Sequence, residues 1–328
     1  MVPFLLALLA GLILLAWSAD RFVDGASGLA VKLGVSPMIV GLTIVAFGTS
    51  APEMLVSAMA ALNGNPGLAL GNAVGSNIAN IGLVLGATAL VLPLAVRSET
   101  LRREFPMMAV VMAFTLLLII DGELSRTDGT LLLAGMFLLI GVTVRIGRQS
   151  HYGDPLAEEL AAEQSPQIIE TTGTGRYLWL LTGGLLILLL ASRLLVWGAV
   201  GLASHFGISD LVIGLTIVAI GTSLPELAAS LVAARKGEDD IAIGNVVGSN
   251  LFNLLAVIGV AGTMAPTTID QPLLWRDYPI MLALTITLYL LARGSGSQPG
   301  KIGRLPGALL LLTFIGYNSW LYLHIAMP

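Results

Sequence analysis

The chain states one design twice. Residues 41–53, GLTIVAFGTSAPE, return at 214–226 as GLTIVAIGTSLPE, identical at 11 of 13 positions. Gly71–Asn80, GNAVGSNIAN, returns at the same offset of 173 as Gly244–Asn253, GNVVGSNLFN. Across 41–86 and 214–259, 25 of 46 positions are identical. A duplication kept only for packing would retain apolar faces. What is retained here is polar: Thr, Ser, Glu and Asn.

The medium follows from hydropathy. Charged residues make up 11% of the 328-residue chain, against about 25% in a soluble domain, and mean hydropathy is +0.89. Apolar runs long enough to cross roughly 30 Å of hydrocarbon fall at 2–31, 36–62, 68–93, 105–121, 129–146, 177–204, 209–234, 240–263, 275–292 and 305–325. The first run has no basic flank and has a counterpart at 175–204, so it reads as a span and not as a cleaved leader. Each half holds five spans. An odd number forces the halves to enter the membrane in opposite senses, a transporter signature that places the site near mid-membrane between the repeats. The expected fold is an all-α membrane protein: ten transmembrane helices as two inverted five-helix repeats, 1–146 and 177–328, with helices 2 and 7 broken.

The segment 147–176 is polar, with Gly153, Pro155, Pro166 and four Glu, and reads as a cytoplasmic linker. It lacks the alternating carboxylates of an EF-hand loop. With both termini outside, 12 of the 16 Lys and Arg fall on cytoplasmic ends and loops, and only Arg126 and Arg276 fall outside. That is the positive-inside bias, expected for a multi-pass protein of the cell (inner) membrane. A net charge of −4 leaves no nucleic-acid footprint. No Cys and only three scattered His exclude thiolate sites and argue against an imidazole metal site.

Glu53 and Glu226 lie deep inside spans 2 and 7. A lone carboxylate there costs roughly 2.5–3.5 kcal/mol on insertion scales, so two at equivalent positions imply a shared use. Each follows Gly-Thr-Ser-x-Pro. Pro52 and Pro225 remove a backbone donor and clash with the preceding turn, so the helices are expected to break near Thr49 and Thr222. Carbonyls freed inside a membrane are tolerated where they are paired or line a cavity. In spans 3 and 8, Ser76 and Asn80, like Ser249 and Asn253, stand four apart on one helix face. Asn77 and Asn250 read as polar helix–helix glue, and Gly71, Gly75, Gly244 and Gly248 permit close approach. With Ser50 and Ser223, the candidate donors are all oxygen. Ca²⁺ takes 6–8 oxygens, and two carboxylates neutralise one divalent ion.

These paired segments, GTSAPE/GTSLPE and GSNIAN/GSNLFN, resemble the two alpha repeats of the sodium/calcium exchangers, and the overall size is similar to compact prokaryotic members. The resemblance covers nearly the whole membrane region. It implies a central Ca²⁺ site from Glu53, Glu226 and the Thr49 and Thr222 carbonyls. It also implies flanking Na⁺ sites from Ser50, Ser223, Ser76, Ser249, Asn80 and Asn253. Some relatives carry Asp where Asn80 or Asn253 stands, so here the two Glu are expected to be the only buried carboxylates. The function implied is a Ca²⁺/Na⁺ antiporter with the two ions as substrates, the bilayer as surroundings and no cofactor; a Ca²⁺/H⁺ antiporter stays open as the alternative. An intramembrane hydrolase would need a nucleophile or metal, and no His lies near either motif. A passive channel would not need an inverted pair of broken helices.

Topology is testable because the chain has no Cys. Ser165→Cys is expected to react with an impermeant thiol reagent from the cytoplasmic side only. Labelling from outside alone would reverse the orientation.

Overall fold

The structure, a computed structural model, describes residues 1–64, 66–96, 98–149, 173–206, 219–293 and 300–326. Most of the 147–176 linker, the start of the seventh expected span and the return of GLTIV at 214–218 lie outside the described residues. What is described is mainly helix: α1 (Val2–Leu33), α2 (Pro37–Thr49), α3 (Ala51–Leu62), α4 (Pro66–Val91), α5 (Ser98–Ile119), α6 (Arg126–Gln149), α7 (Thr174–His205), α8 (Ala219–Thr222), α9 (Leu224–Arg235), α10 (Asp239–Met264), α11 (273–292) and α12 (Arg304–Ala326). Five of these are long and apolar enough to cross a membrane, six if the bent pair α2–α3 is one span. Helix ends match the expected spans closely. The clearest difference is α5, which starts at Ser98 and not near 105. Backbone hydrogen bonding carries a helix on through charged residues at which a hydropathy reading stops.

Two short strand pairs depart from the all-α expectation. β1 (Leu94–Val96) pairs antiparallel with β4 (Gly300–Ile302), and β2 (Glu123–Leu124) with β3 (Thr267–Thr268). The offset of 173 carries Leu94 onto Thr267. Each pair therefore joins a loop of one half to a loop of the other. These loops approach closely enough for their backbones to satisfy one another, which hydropathy cannot foresee.

Burial sorts the helices. α10 is almost wholly buried and α4 largely so, while less than a third of the apolar stretch of α1, α6 or α7 is buried. The exposed residues are apolar: Leu9, Ile13 and Trp17 on α1, Leu186 and Trp197 on α7, Leu312 and Ile315 on α12. Apolar faces of this extent belong against lipid, and the chain is a multi-pass integral membrane protein.

α1 and α7 pack along their whole length. Small residues set their distance. A Cβ on Gly25 would fall 2.3 Å from the Leu181 backbone nitrogen, and one on Gly184 would fall 2.7 Å from that of Phe22. Without a hydrophobic force between helices in lipid, close backbone contact of this kind supplies the attraction. α2 crosses α10 in the same way. A Cβ on Gly244 would lie 2.7 Å from the Met38 carbonyl, and one on Gly248 2.3 Å from that of Leu42. Gly244 and Gly248 thus serve close approach as expected. Among the described residues, nothing lies within 4 Å of a Cβ on Gly71 or Gly75.

The α3–α4 and α9–α10 turns each carry a left-handed glycine, Gly64 and Gly237, both at φ 76°. Their chemistry differs. The first reads NGNPG, uncharged; the second reads KGEDD. Lys236 Nζ lies 2.5 Å from Asp24 and 2.9 Å from Asp20 on α1, and the Ser27 hydroxyl donates to Glu238. The charged turn therefore grips α1.

Gly25→Val places branched carbons against the α7 backbone, which cannot yield without parting the helices. Overpacking costs typically about 1–3 kcal/mol. Thermal unfolding in detergent should show a lowered midpoint for Gly25→Val and little change for Gly141→Val, where nothing lies within 4 Å.

Candidate functional site

The site begins at two helix breaks. α2 and α3 bend by 46° about Ser50, whose φ and ψ are −80° and 3°. Pro52 has no N–H to offer the Gly48 carbonyl, and the ladder resumes with Met54 N–H donating to Ser50 O at 3.1 Å. In the second half Ser223, at φ −90° and ψ 4°, separates α8 from α9, and Leu227 N–H donates to its carbonyl at 3.0 Å. The breaks thus fall at Ser50 and Ser223, one residue beyond Thr49 and Thr222. A proline early in the new helix has a preset φ and strips the donor four residues after Gly48 or Gly221. One freed carbonyl is not left open. The Ser192 hydroxyl on α7 donates to Gly221 O at 3.0 Å, and the equivalent position in α1 is Ala19.

Glu53 and Glu226 stand in the first turns of α3 and α9, each only 1% exposed. Their surroundings cross between the halves. The Ser50 hydroxyl donates to Glu226 Oε1 at 3.2 Å, and the Thr49 hydroxyl to Asn245 Oδ1 at 3.0 Å. Asn245 Nδ2 in turn donates to the Glu226 carbonyl at 3.2 Å and to Ser230 Oγ at 3.0 Å. Asn72 repeats this in the first half, donating to the Glu53 carbonyl at 3.3 Å and to Ser57 Oγ at 3.0 Å. Asn72, Asn245, Ser57 and Ser230 were not among the sequence candidates. Their signal was present: each is identical across the repeat, although none is an expected ligand.

The asparagines complete the frame. α4 and α10 each widen into a π-type turn, at 80–85 and 253–257, beginning at Asn80 and Asn253. Such turns are rare and frequent at functional sites. The turn at 253–257 packs on α3, and the turn at 80–85 on α9, so each Asn-bearing turn meets the Glu-bearing helix of the opposite half. Asn77 Nδ2 donates to Asn250 O at 3.2 Å, Asn80 Nδ2 to Asn250 Oδ1 at 3.1 Å, and Asn253 Nδ2 to Asn77 Oδ1 at 3.0 Å. Asn77 and Asn250 do join the helices, as expected.

Of the ten candidates, Thr49, Ser50, Glu53, Ser76, Asn80, Ser223, Glu226, Ser249 and Asn253 are buried, and Thr222 is half-buried. Among the described residues, five of their side-chain oxygens are buried without a hydrogen-bond partner: Glu53 Oε2, Glu226 Oε2, Ser223 Oγ, Ser249 Oγ and Asn253 Oδ1. A stranded buried polar atom costs about 1–3 kcal/mol, more when charged. Five on one candidate set make a cluster of acceptors suited to an electropositive group. The donor set is oxygen only, and among the described residues no group of three His, Cys, Asp or Glu gathers. Such a set suits hard cations, not soft transition metals.

A family model described as "Sodium/calcium exchanger protein" matches residues 3–145 and 176–323. The CaxA protein of Alkalimonas amylolytica is 52% identical over 314 residues, covering 96% of this chain and 97% of that one. The inner membrane protein YrbG of Escherichia coli is 43% identical over 316 residues, covering 96% and 95%. Among solved structures, the sodium-calcium exchanger NCX_Mj soaked with Na⁺ and Ca²⁺ superposes with a TM-score of 0.81 at 34% identity, covering 96% of this chain and 97% of that one.

The two framing asparagines differ in what they hold. Asn245→Ala removes three hydrogen bonds, with Thr49, the Glu226 carbonyl and Ser230, whereas Asn72→Ala removes two, with the Glu53 carbonyl and Ser57. At about 0.5–1.5 kcal/mol per hydrogen bond, Asn245→Ala should lower the thermal midpoint in detergent further than Asn72→Ala. An equal or smaller loss would contradict the bridging geometry.

Proposed function

The chain belongs to the sodium/calcium exchanger family, and we propose that it is a secondary antiporter exchanging Ca²⁺ for Na⁺ by alternating access. The observation that carries this reading is the set of unpartnered buried oxygens around two carboxylates at equivalent positions of a repeat. Ca²⁺ is held by Glu53, Glu226 and carbonyls at Thr49 and Thr222. Na⁺ uses Ser50, Ser223, Ser76, Ser249, Asn80 and Asn253. Both ions are cargo, and no covalent chemistry is asked of the site.

The architecture proposed is ten spans in two inverted repeats, 1–146 and 177–328, joined by a cytoplasmic linker at 147–176, with both termini outside. The cross-half strand pairs support the symmetry, and the charge distribution supports the orientation. An inner-membrane location accords with the name of the YrbG relative. The α1–α7 pair, exposed and packed on itself, rocks or slides against the α4–α10 core. Two ionised Glu sealed without a cation would be an uncompensated double charge in low dielectric. The site therefore closes only when filled, and that penalty couples the two fluxes.

The test is ⁴⁵Ca²⁺ flux in liposomes, with membrane potential clamped and pH fixed. A Na⁺ gradient should drive Ca²⁺ movement with a sigmoidal Na⁺ dependence, since neutralising two carboxylates takes at least two Na⁺. Glu53→Gln and Glu226→Gln keep the volume and remove one charge, and each should abolish flux while the protein still inserts. Near-normal exchange in either variant rejects the paired-carboxylate site. Flux that follows a pH gradient and ignores Na⁺ selects the Ca²⁺/H⁺ alternative.

A further inference from the structure

An asparagine supplies a cation ligand only when its oxygen, not its NH₂, faces the ion. The two ends are nearly equal in shape and opposite in charge, so a carboxamide turned over would present two N–H donors to a cation. Something must hold the orientation. At Asn253 the holder can be traced back to a group that cannot turn over. The Asn250 backbone carbonyl is acceptor only. It receives Asn77 Nδ2 at 3.2 Å, and the same nitrogen also lies 3.4 Å from Met281 S. With its nitrogen committed, Asn77 turns Oδ1 the other way, and that oxygen accepts Asn253 Nδ2 at 3.0 Å. Asn253 Oδ1 is left buried and without a partner, on the helix face it shares with Ser249, whose Oγ is also buried and unpartnered. Reversing Asn77 would set oxygen against the Asn250 carbonyl and NH₂ against the Asn253 NH₂.

We propose that Asn77 is a positioning residue: anchored on the Asn250 carbonyl, it locks the Asn253 amide with its oxygen toward the Na⁺ ligands. The proposal rests on the ion site described under Proposed function and deepens it, because it assigns a role to a residue that reads as helix glue. The lock crosses the repeats, since Asn77 lies on α4 and Asn253 on α10. The mirrored arm lacks the anchor. Asn250 Oδ1 accepts Asn80 Nδ2 at 3.1 Å, but Asn250 Nδ2 is buried with no partner. Asn80 and Asn250 can therefore turn over together at no loss of their mutual bond. Two arms alike in sequence thus differ in rigidity, with the Asn253 arm fixed and the Asn80 arm free to reverse.

A variant cycle separates the lock from simple packing. In Na⁺-driven Ca²⁺ flux, Asn77→Ala should raise half-saturating Na⁺ about three- to ten-fold, the worth of one hydrogen-bonded orientation. In an Asn253→Asp background, the carboxyl group has an oxygen at either end and orientation no longer matters. There Asn77→Ala should shift half-saturating Na⁺ by less than about two-fold. Asn250→Ala should shift it less than Asn77→Ala in the parent chain, since the Asn80 arm has no anchor to lose. Elution as a single species in detergent checks folding. If Asn77→Ala does not insert, Asn77→Ser, too short to reach Asn253, takes its place in the same cycle. Equal shifts in the two backgrounds, or none in the parent, overturn the lock. If Asn253→Ala itself leaves the Na⁺ dependence unchanged, Asn253 is no ligand, and the assignment of the Na⁺ site fails along with the lock.

Discussion

Two carboxylates buried in a low-dielectric interior are the constraint around which this molecule is arranged. Glu53 and Glu226 are almost wholly removed from solvent, and each keeps one oxygen with no protein partner. Burial of this kind is offset by a bound cation or by protonation, and the rest of the centre fixes where the two carboxylates stand. Proline-induced breaks place each Glu in the first turn of a helix. Asn72 and Asn245 pin the Glu backbones, and Ser50 reaches across the pseudo-symmetry to Glu226. On the exchange reading, the same electrostatic penalty that makes the empty site costly makes transport obligatorily coupled. No separate coupling device is then needed.

The halves are interleaved more than stacked. α2 of the first half crosses α10 of the second with backbones in contact at Gly244 and Gly248. That contact brings Thr49 to Asn245 and Ser50 to Glu226. The Asn-bearing turns of α4 and α10 pack on the Glu-bearing helices of the opposite half. Bonds across the repeats tie Thr49 and Ser50 of the first half to Asn245 and Glu226 of the second.

The symmetry is broken at particular residues. Ser192 satisfies the Gly221 carbonyl where Ala19 cannot serve Gly48. The KGEDD turn holds α1 through Lys236 and Glu238, while its counterpart NGNPG has no charge to offer. On the exchange reading, exact symmetry would make the two faces of the carrier equal in energy.

Much of this was legible in the sequence, because membrane insertion and duplication leave signals that are local or periodic. Apolar runs located the helices, since hydrocarbon demands long apolar segments. Identity at an offset of 173 picked out Glu53, Glu226, Ser50, Ser223, Asn80 and Asn253, since polar residues persist in that setting only at a cost. Proline spacing placed the breaks within one residue. What the tertiary structure decided depends on contacts between distant segments. The strand pairs at Leu94–Val96 and Glu123–Leu124 needed loops from the other half. The support of the Gly221 carbonyl needed Ser192 from a helix 29 residues away. The direction in which the Asn253 amide points needed Asn77, 176 residues earlier in the chain. A sequence reports which groups can donate and accept; which donor meets which acceptor is settled only when the helices pack.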